Sequence, residues 1–131
     1  MAGALTVHRT GATVWCTLDR PPLNLLEPGL IRTLRETFEA LAADRTTRIA
    51  IVTGQGRAFT AGMDVAVLRD LDPARARELI TGLHDAIAAV HAAPFPVIAA
   101  LIWPRWWVAW LNTWPSVAAS GSEVGTPWVV V

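Results

Sequence analysis

Apolar and polar residues alternate over the first eighteen positions of the chain. The alternation is interrupted by a Thr-Gly pair at residues 10 and 11 and resumes after it. A period of two on either side of a turn is typical of a β-hairpin with one buried face. We therefore predict two strands that end before residue 20. The residues predicted to share the buried face are Leu5, Val7, Val14, Cys16 and Leu18.

Two later segments have the three-to-four residue spacing of amphipathic helices. The first begins at Pro28 and ends near Asp44. The second begins at Asp72, a good N-cap residue, with Pro73 at the first helical position, and it ends before Pro94. The apolar stripe of the first helix is Leu30, Ile31, Leu34, Phe38 and Leu41, and that of the second is Ala76, Leu79, Ile80, Leu83, Ile87 and Val90.

Residues 49–53 and 97–101 are apolar apart from Thr53, unlike the alternating hairpin. Short apolar runs of this kind predict strands that are buried on both faces of a parallel sheet. The first run ends at Gly54-Gln55-Gly56. Strand, strand, helix, strand, loop, helix, strand predicts the α/β class.

Composition excludes several classes of function. The net charge is zero and the pI is near 6.8, which gives no basic surface for nucleic acid. Cys16 is the single cysteine, so it forms no internal disulfide, and its place in a strand predicts a buried thiol. No Cys/His cluster has metal-ligand spacing. The first residues lack the pattern of a signal peptide, so we predict a cytoplasmic protein.

Residues 58–64 read Ala-Phe-Thr-Ala-Gly-Met-Asp and directly follow the first apolar run and its glycines. Together with residues 17–24, 51–54 and 96–100, in this order and spacing, the segment resembles the enoyl-CoA hydratase/isomerase (crotonase) family. The resemblance covers roughly residues 4–101. It implies the ClpP/crotonase spiral of ββα units, of which this chain would hold the N-terminal half, an incomplete fold.

The resemblance also implies a site for acyl-CoA thioesters, with no separate cofactor, in an enzyme of fatty-acid or acyl-CoA catabolism. The backbone N–H of Met63 would be the first of two oxyanion donors, which stabilise the negative charge of a thioester enolate. The carbonyl of Ala61 would face the adenine of CoA. Family members are trimers or pairs of trimers. The residues implied at the substrate site are Arg20, Asn24, Ala61, Gly62, Met63 and Asp64, the last as the cap of a short helix.

The composition changes abruptly near residue 102, so we divide the chain into a family-like segment, 1–101, and a Trp-rich tail, 102–131. Six of the seven tryptophans lie in the tail. The family continues with a Gly-Gly-Gly segment that supplies the second donor, where this chain has Trp-Pro-Arg-Trp-Trp-Val. Because Trp is encoded by TGG, the same DNA read one base later gives glycines. One hypothesis is therefore a frameshift, and the other is a genuine tail.

The tail also lacks the acid–base groups of a hydratase. Hydration of an enoyl thioester needs a carboxylate to activate water and an acid to protonate carbon. Trp128 stands where the resemblance would place the second glutamate, and Glu123 matches neither glutamate position. We therefore expect an inactive or nearly inactive chain.

Two other functions are alternatives to the one that the family resemblance implies. A membrane-surface role would rest on the nearly uncharged, Trp-rich stretch 94–119, although its prolines oppose a membrane-spanning helix. A non-catalytic remnant with exposed tryptophans is the other alternative. His84 and His91, seven residues apart on the second helix, are predicted to be surface residues rather than metal ligands.

Overall fold

A computed structural model describes residues 4–101 and 128–130 of the chain. These residues form a five-stranded sheet and three helices. The strands are β1 (Leu5–Thr10), β2 (Thr13–Leu18), β3 (Ile49–Gly54), β4 (Val97–Ala100) and β5 (Trp128–Val130), and the helices are α1 (Pro28–Ala43), α2 (Val65–Arg69) and α3 (Pro73–His91). The four strands and both long helices predicted within residues 4–101 are present.

The strands lie in the order in which they occur along the chain. β1 and β2 form the predicted antiparallel hairpin, β2, β3 and β4 run parallel, and β5 pairs antiparallel with β4 through Ala100 and Trp128. The sequence analysis did not predict β5. Because parallel strands point the same way, the carboxyl ends of β2, β3 and β4 lie at one edge of the sheet.

Helices α1 and α3 cover one face of this sheet. Phe38, fully buried on α1, packs with the inward residues of the strands, and a second cluster joins α1 to α3 through Ile31, Leu79 and Ala86. The main cluster consists of Leu5, Val14, Cys16, Leu18, Leu30, Phe38, Leu41, Ala50, Val52 and Phe95. Cys16 is buried as predicted, and its burial raises the pKa of the thiol to about 11.

The burial predictions for several apolar residues are wrong. Val7 is 51% exposed because β1 is an edge strand that α1 and α3 cover only in part. Ile80 and Ile87 are 41% and 46% exposed, since α3 meets the protein through the narrower row of Leu79 and Ala86.

β3 and β4 are less buried than predicted. In β3 the buried residues alternate with half-buried ones, and the four residues of β4 are all half-buried. The reason is that, among the described residues, α1 and α3 lie on only one face of the sheet. The apolar runs therefore predicted the strands correctly, but the predicted burial of both faces is wrong.

A polar cluster fastens the edge strand to the end of α1. Arg9 of β1 donates to the hydroxyls of Thr46 and Thr47 and forms an ion pair with Asp44, the C-cap residue of α1. Hydrogen bonds from the hydroxyl and backbone N–H of Thr46, then from Thr47, lower the pKa of Asp44 to about 2, and the Arg9 charge adds to them.

Within residues 4–101, no helix is both long enough and apolar enough to cross a membrane. The membrane-surface alternative rests chiefly on residues of the tail that lie outside the described part of the chain.

Candidate functional site

Two loops meet where the parallel strands end. The first loop, residues 19–27, follows β2, and the motif loop, residues 55–64, follows β3. Their backbones are joined as in a short parallel sheet: the N–H of Leu26 donates to Gly62 O at 2.8 Å, and the N–H of Asp64 donates to Leu26 O at 3.1 Å. A third bond runs from Ala61 N–H to Leu23 O at 2.9 Å. The main chain therefore fixes the position of the motif loop.

The side chain of Asn24 joins the two loops by hydrogen bonds. Its side chain is fully buried, and its Nδ2 donates to the carbonyls of Gln55, at 3.0 Å, and Ala58, at 2.7 Å. Its Oδ1 accepts from the N–H of Arg20 at 2.8 Å. The backbone φ of Asn24 is +49°, a left-handed conformation that asparagine tolerates better than most residues. Both amide hydrogens are thus used within the protein, which makes Asn24 a positioning residue.

Gly54, the last residue of β3, lets these loops approach each other. A Cβ atom at this position would lie 2.6 Å from the carbonyl oxygen of Phe59 and 2.8 Å from Nδ2 of Asn24, and closer still to the carbonyl of Ala58. A side chain here would force the backbone apart. This role of Gly54 was not predicted from the sequence, although a glycine within a strand often marks a close approach of another backbone.

The glycine of the motif has a conformation that other residues avoid. Gly62 has a φ of +92°, and no atom lies within 4 Å of where its Cβ would be, so this side of the loop is open. The hydroxyl of Thr60 stabilises the turn, accepting from Gly62 N–H at 3.1 Å and donating to Asn24 O at 2.7 Å. Thr60 was not predicted to have this role.

The backbone N–H of Met63 differs from its neighbours. The N–H groups of Ala61, Gly62 and Asp64 all donate to acceptors in the two loops. In the pairing with Leu26, the bonds are made by the residues on either side of Met63, so its own N–H points away from the first loop. Among the described residues, we find no acceptor for it. Its side chain packs against the cluster that joins α1 to α3.

The remaining predicted residues lie in the same two loops. Asp64 caps α2 as predicted, with Oδ1 accepting from Ala66 N–H at 3.0 Å. Ala61 is exposed, and Arg20 forms an ion pair with Glu27 at the start of α1. The structure therefore brings all six residues into one pair of loops, while their contacts with CoA stay predictions.

The two histidines of α3 do not belong to these loops. His84 and His91 are exposed on α3, as predicted for surface histidines. Within residues 4–101, no three His, Cys, Asp or Glu side chains are grouped so as to hold a metal ion. Glu123 and the segment expected to supply a second oxyanion donor lie outside the described residues.

Comparison with known proteins identifies the family. The family model for enoyl-CoA hydratase/isomerase matches residues 9–102, which include the first loop, the motif loop and β2 to β4. The chain belongs to the enoyl-CoA hydratase/isomerase family. An enoyl-CoA hydratase of Alternaria alternata is 31% identical over 99 residues, which are 75% of this chain and 32% of that protein. A 3-hydroxyisobutyryl-CoA hydrolase of Arabidopsis thaliana is 45% identical over 58 residues, 43% of this chain and 15% of that one.

Solved structures of enoyl-CoA hydratase/isomerase relatives confirm the predicted fold. DspI of Pseudomonas aeruginosa matches with a TM-score of 0.73 and 35% identity, over 76% of this chain and 38% of that one. An enoyl-CoA hydratase/carnithine racemase of Magnetospirillum magneticum gives 0.73 and 33%, over 78% and 40%. The chain thus has a crotonase-type α/β fold and spans well under half the length of these relatives.

Proposed function

We propose that this chain binds acyl-CoA thioesters at the motif loop and that Met63 N–H donates to the thioester carbonyl oxygen. The observation that carries the proposal is the hydrogen bonding of the loop: Ala61, Gly62 and Asp64 use their N–H groups internally, whereas Met63 N–H has no acceptor among the described residues. The open side of Gly62 leaves room for a ligand next to this donor.

A fixed donor of this kind suits the chemistry of thioesters. When a proton leaves the carbon next to the carbonyl, negative charge develops on the carbonyl oxygen, and a preorganised N–H stabilises it without having to reorient. The bonds of Asn24 and the contact at Gly54 hold the loop in place before a ligand arrives. They support a role in positioning rather than direct contact with the substrate.

We propose only the step that the reactions of these relatives have in common. The names of the relatives include hydratases and a hydrolase, both of which act on CoA thioesters. Polarisation of the thioester carbonyl is common to such reactions, so we assign carbonyl binding to this loop and leave the acyl chain and the later steps open. A cytoplasmic location likewise stays a prediction.

We further propose that turnover by the chain as written is very low. Its sequence places Trp-Pro-Arg-Trp-Trp-Val after β4, where the family resemblance implies a glycine donor, and it offers Glu123 as the one carboxylate of residues 102–131. Loss of one oxyanion donor costs about 10²–10³ in rate. Loss of the carboxylates would remove the acid–base step as well.

The binding proposal is tested with crotonyl-CoA by calorimetry and by infrared difference spectroscopy of the thioester carbonyl. We expect binding accompanied by a shift of the carbonyl stretch to lower frequency, as a hydrogen bond to the oxygen weakens the C=O bond. Replacing Met63 by its α-hydroxy acid through semisynthesis removes the N–H and should abolish the shift. Met63→Leu retains the N–H and is the matched control. An unshifted carbonyl in the bound wild-type complex would refute the assigned donor.

The activity proposal is tested separately. Purified protein should hydrate crotonyl-CoA far more slowly than ordinary enzymes, and turnover at ordinary enzyme rates would refute it. Sequencing the coding DNA across residues 95–131 and translating all three frames distinguishes the two hypotheses for the tail. Glycines and a nearby glutamate in another frame would indicate a frameshift, whereas their absence from every frame would favour a genuine Trp-rich tail.

A further inference from the structure

A groove of about 710 Å³ runs between α1 and α3, on the helical side of the protein. Ile31, Leu71 and Leu79 contribute apolar surface to it, and Arg32 of α1 and Arg77 of α3 line it from opposite helices. None of the motif residues 58–64 lines it. Its volume lies within the range of about 300–1,000 Å³ that is usual for small-molecule sites.

The charges that line the groove are unbalanced. Four arginines, at positions 32, 35, 75 and 77, and two acids, Glu78 and Asp85, give a net charge of four minus two, or +2. Arg35 lies 3.6 Å from Glu39 and 3.8 Å from Asp85, and Arg75 lies 3.6 Å from Asp72, so acids outside the lining pair with two of these arginines. Arg32 and Arg77 form no ion pair within the part of the chain that the structure describes. Two guanidinium groups are therefore left to attract an anion.

Gly82 contributes to the openness of the groove. It lies inside α3, where glycine is less favourable than alanine because it gives the unfolded chain more freedom. A Cβ atom here would meet Ile31 Cγ2 at 3.9 Å, an ordinary van der Waals contact. The packing of α1 on α3 therefore does not require glycine. Its absent side chain instead leaves space between the two helices.

We propose that the α1–α3 groove binds a small amphiphile with an anionic head and an apolar body. The apolar residues would cover the body, and Arg32 and Arg77 would pair with a carboxylate or phosphate head. Arginine suits both heads because its planar fork matches their oxygens. The groove shares no lining residue with the motif loop, although the side chain of Met63 packs against the cluster that contains Ile31 and Leu79.

The proposal is tested on the full chain by calorimetry with octyl phosphate and octanoate as probes. We expect at least one of the two to bind. Arg32→Gln combined with Arg77→Gln should weaken that binding about fivefold or more, in keeping with the modest strength of exposed ion pairs. The matched control is Arg45→Gln combined with Arg48→Gln, two exposed arginines outside the groove, and it should leave binding unchanged.

A second pair of variants tests the apolar part. Gly82→Leu fills the groove and should abolish binding, whereas Gly82→Ala should retain most of it, with circular dichroism used to verify the fold of each. The proposal would be overturned if octanol bound as tightly as the amphiphiles, or if inorganic phosphate did. It would also be overturned if the Arg32/Arg77 change left binding unaltered. If neither probe bound, the proposal would likewise be overturned. Self-association of the wild-type chain that is lost in Gly82→Leu would then indicate that a second copy of the chain occupies the groove.

Discussion

The two loops at the carboxyl edge and the helical layer are stabilised in different ways. The helical layer depends on side-chain burial, with Phe38, Leu30 and Leu41 packed on the strands. The loops depend on a few hydrogen bonds that converge on Asn24 and on the absence of a side chain at Gly54. The global stability of this protein and the geometry of its candidate site therefore rest on different atoms, and mutations should separate them.

The largest loss of stability is expected in the helical layer. Phe38→Ala removes a fully buried aromatic ring and should lower the free energy of unfolding by about 3–5 kcal/mol, measured by urea denaturation. Leu23→Ala, at a residue 40% exposed, is the control and should cost far less. A loss of equal size in both variants would show that burial in the main cluster does not dominate stability.

A somewhat smaller loss, concentrated in the loops, is expected for Asn24→Ala. The carbonyls of Gln55 and Ala58 would lose their donor, at about 0.5–1.5 kcal/mol for each of these part-buried hydrogen bonds. Hydrogen exchange at the N–H groups of Ala61 and Asp64 should accelerate more than exchange in α1. Thr33→Ala, which removes an exposed hydroxyl bond, is the control. Uniform acceleration throughout the protein would contradict a separate role for the loops.

Gly54→Ala tests the close approach of the two loops, since it adds a single methyl group. The clash with the loop carbonyls should cost about 1–3 kcal/mol, the usual range for overpacking. Gly29→Ala, in α1, meets only Glu27 Oε1 at 3.7 Å and should instead stabilise the protein by about 0.5–1 kcal/mol. Thermal unfolding of the two variants should therefore shift in opposite directions, and a shift in the same direction would refute the close approach at Gly54.

The smallest effect is expected at the polar cluster around Asp44. Its pKa is lowered to about 2 in the folded protein, so its contribution to stability is present above about pH 4 and is lost as the pH falls toward 2. Asp44→Asn removes this dependence, and the stability difference between wild type and variant should narrow over that range in urea titrations. Glu36→Gln is the control at an exposed acid. A difference independent of pH would contradict the assigned bonding.

The regular elements could be predicted because they follow from periodicity and capping. The spacing of apolar residues predicted α1 and α3 closely, and Asp64 and Asp72 cap the helices that they were expected to cap. Burial was predicted less well. Val7 lies on the correct face of the hairpin, but β1 is at the edge of the sheet, and the position of an edge is not encoded in alternation.

The residues of the candidate site stay a prediction from the family resemblance, and the contacts that hold them in place were not predicted. The family resemblance pointed to residues 61–64, and the structure shows them joined to the first loop by bonds that no local pattern specifies. The bonds of Asn24 reach 31 and 34 residues along the chain, to Gln55 and Ala58. Such pairings depend on where parallel strands end in space, which is why Gly54 and Thr60 were not recognised from sequence.

The N–H of Met63, which has no acceptor among the described residues, has a consequence for how this protein can change over time. A main-chain donor belongs to every residue except proline, so almost any substitution at position 63 would leave the group in place. Natural variation in the Met63 side chain could then alter the packing against α1 and α3 while the donor persists. Single-residue mutational scans would score position 63 as tolerant, and the atom most directly tied to the proposed chemistry would escape detection by side-chain replacement.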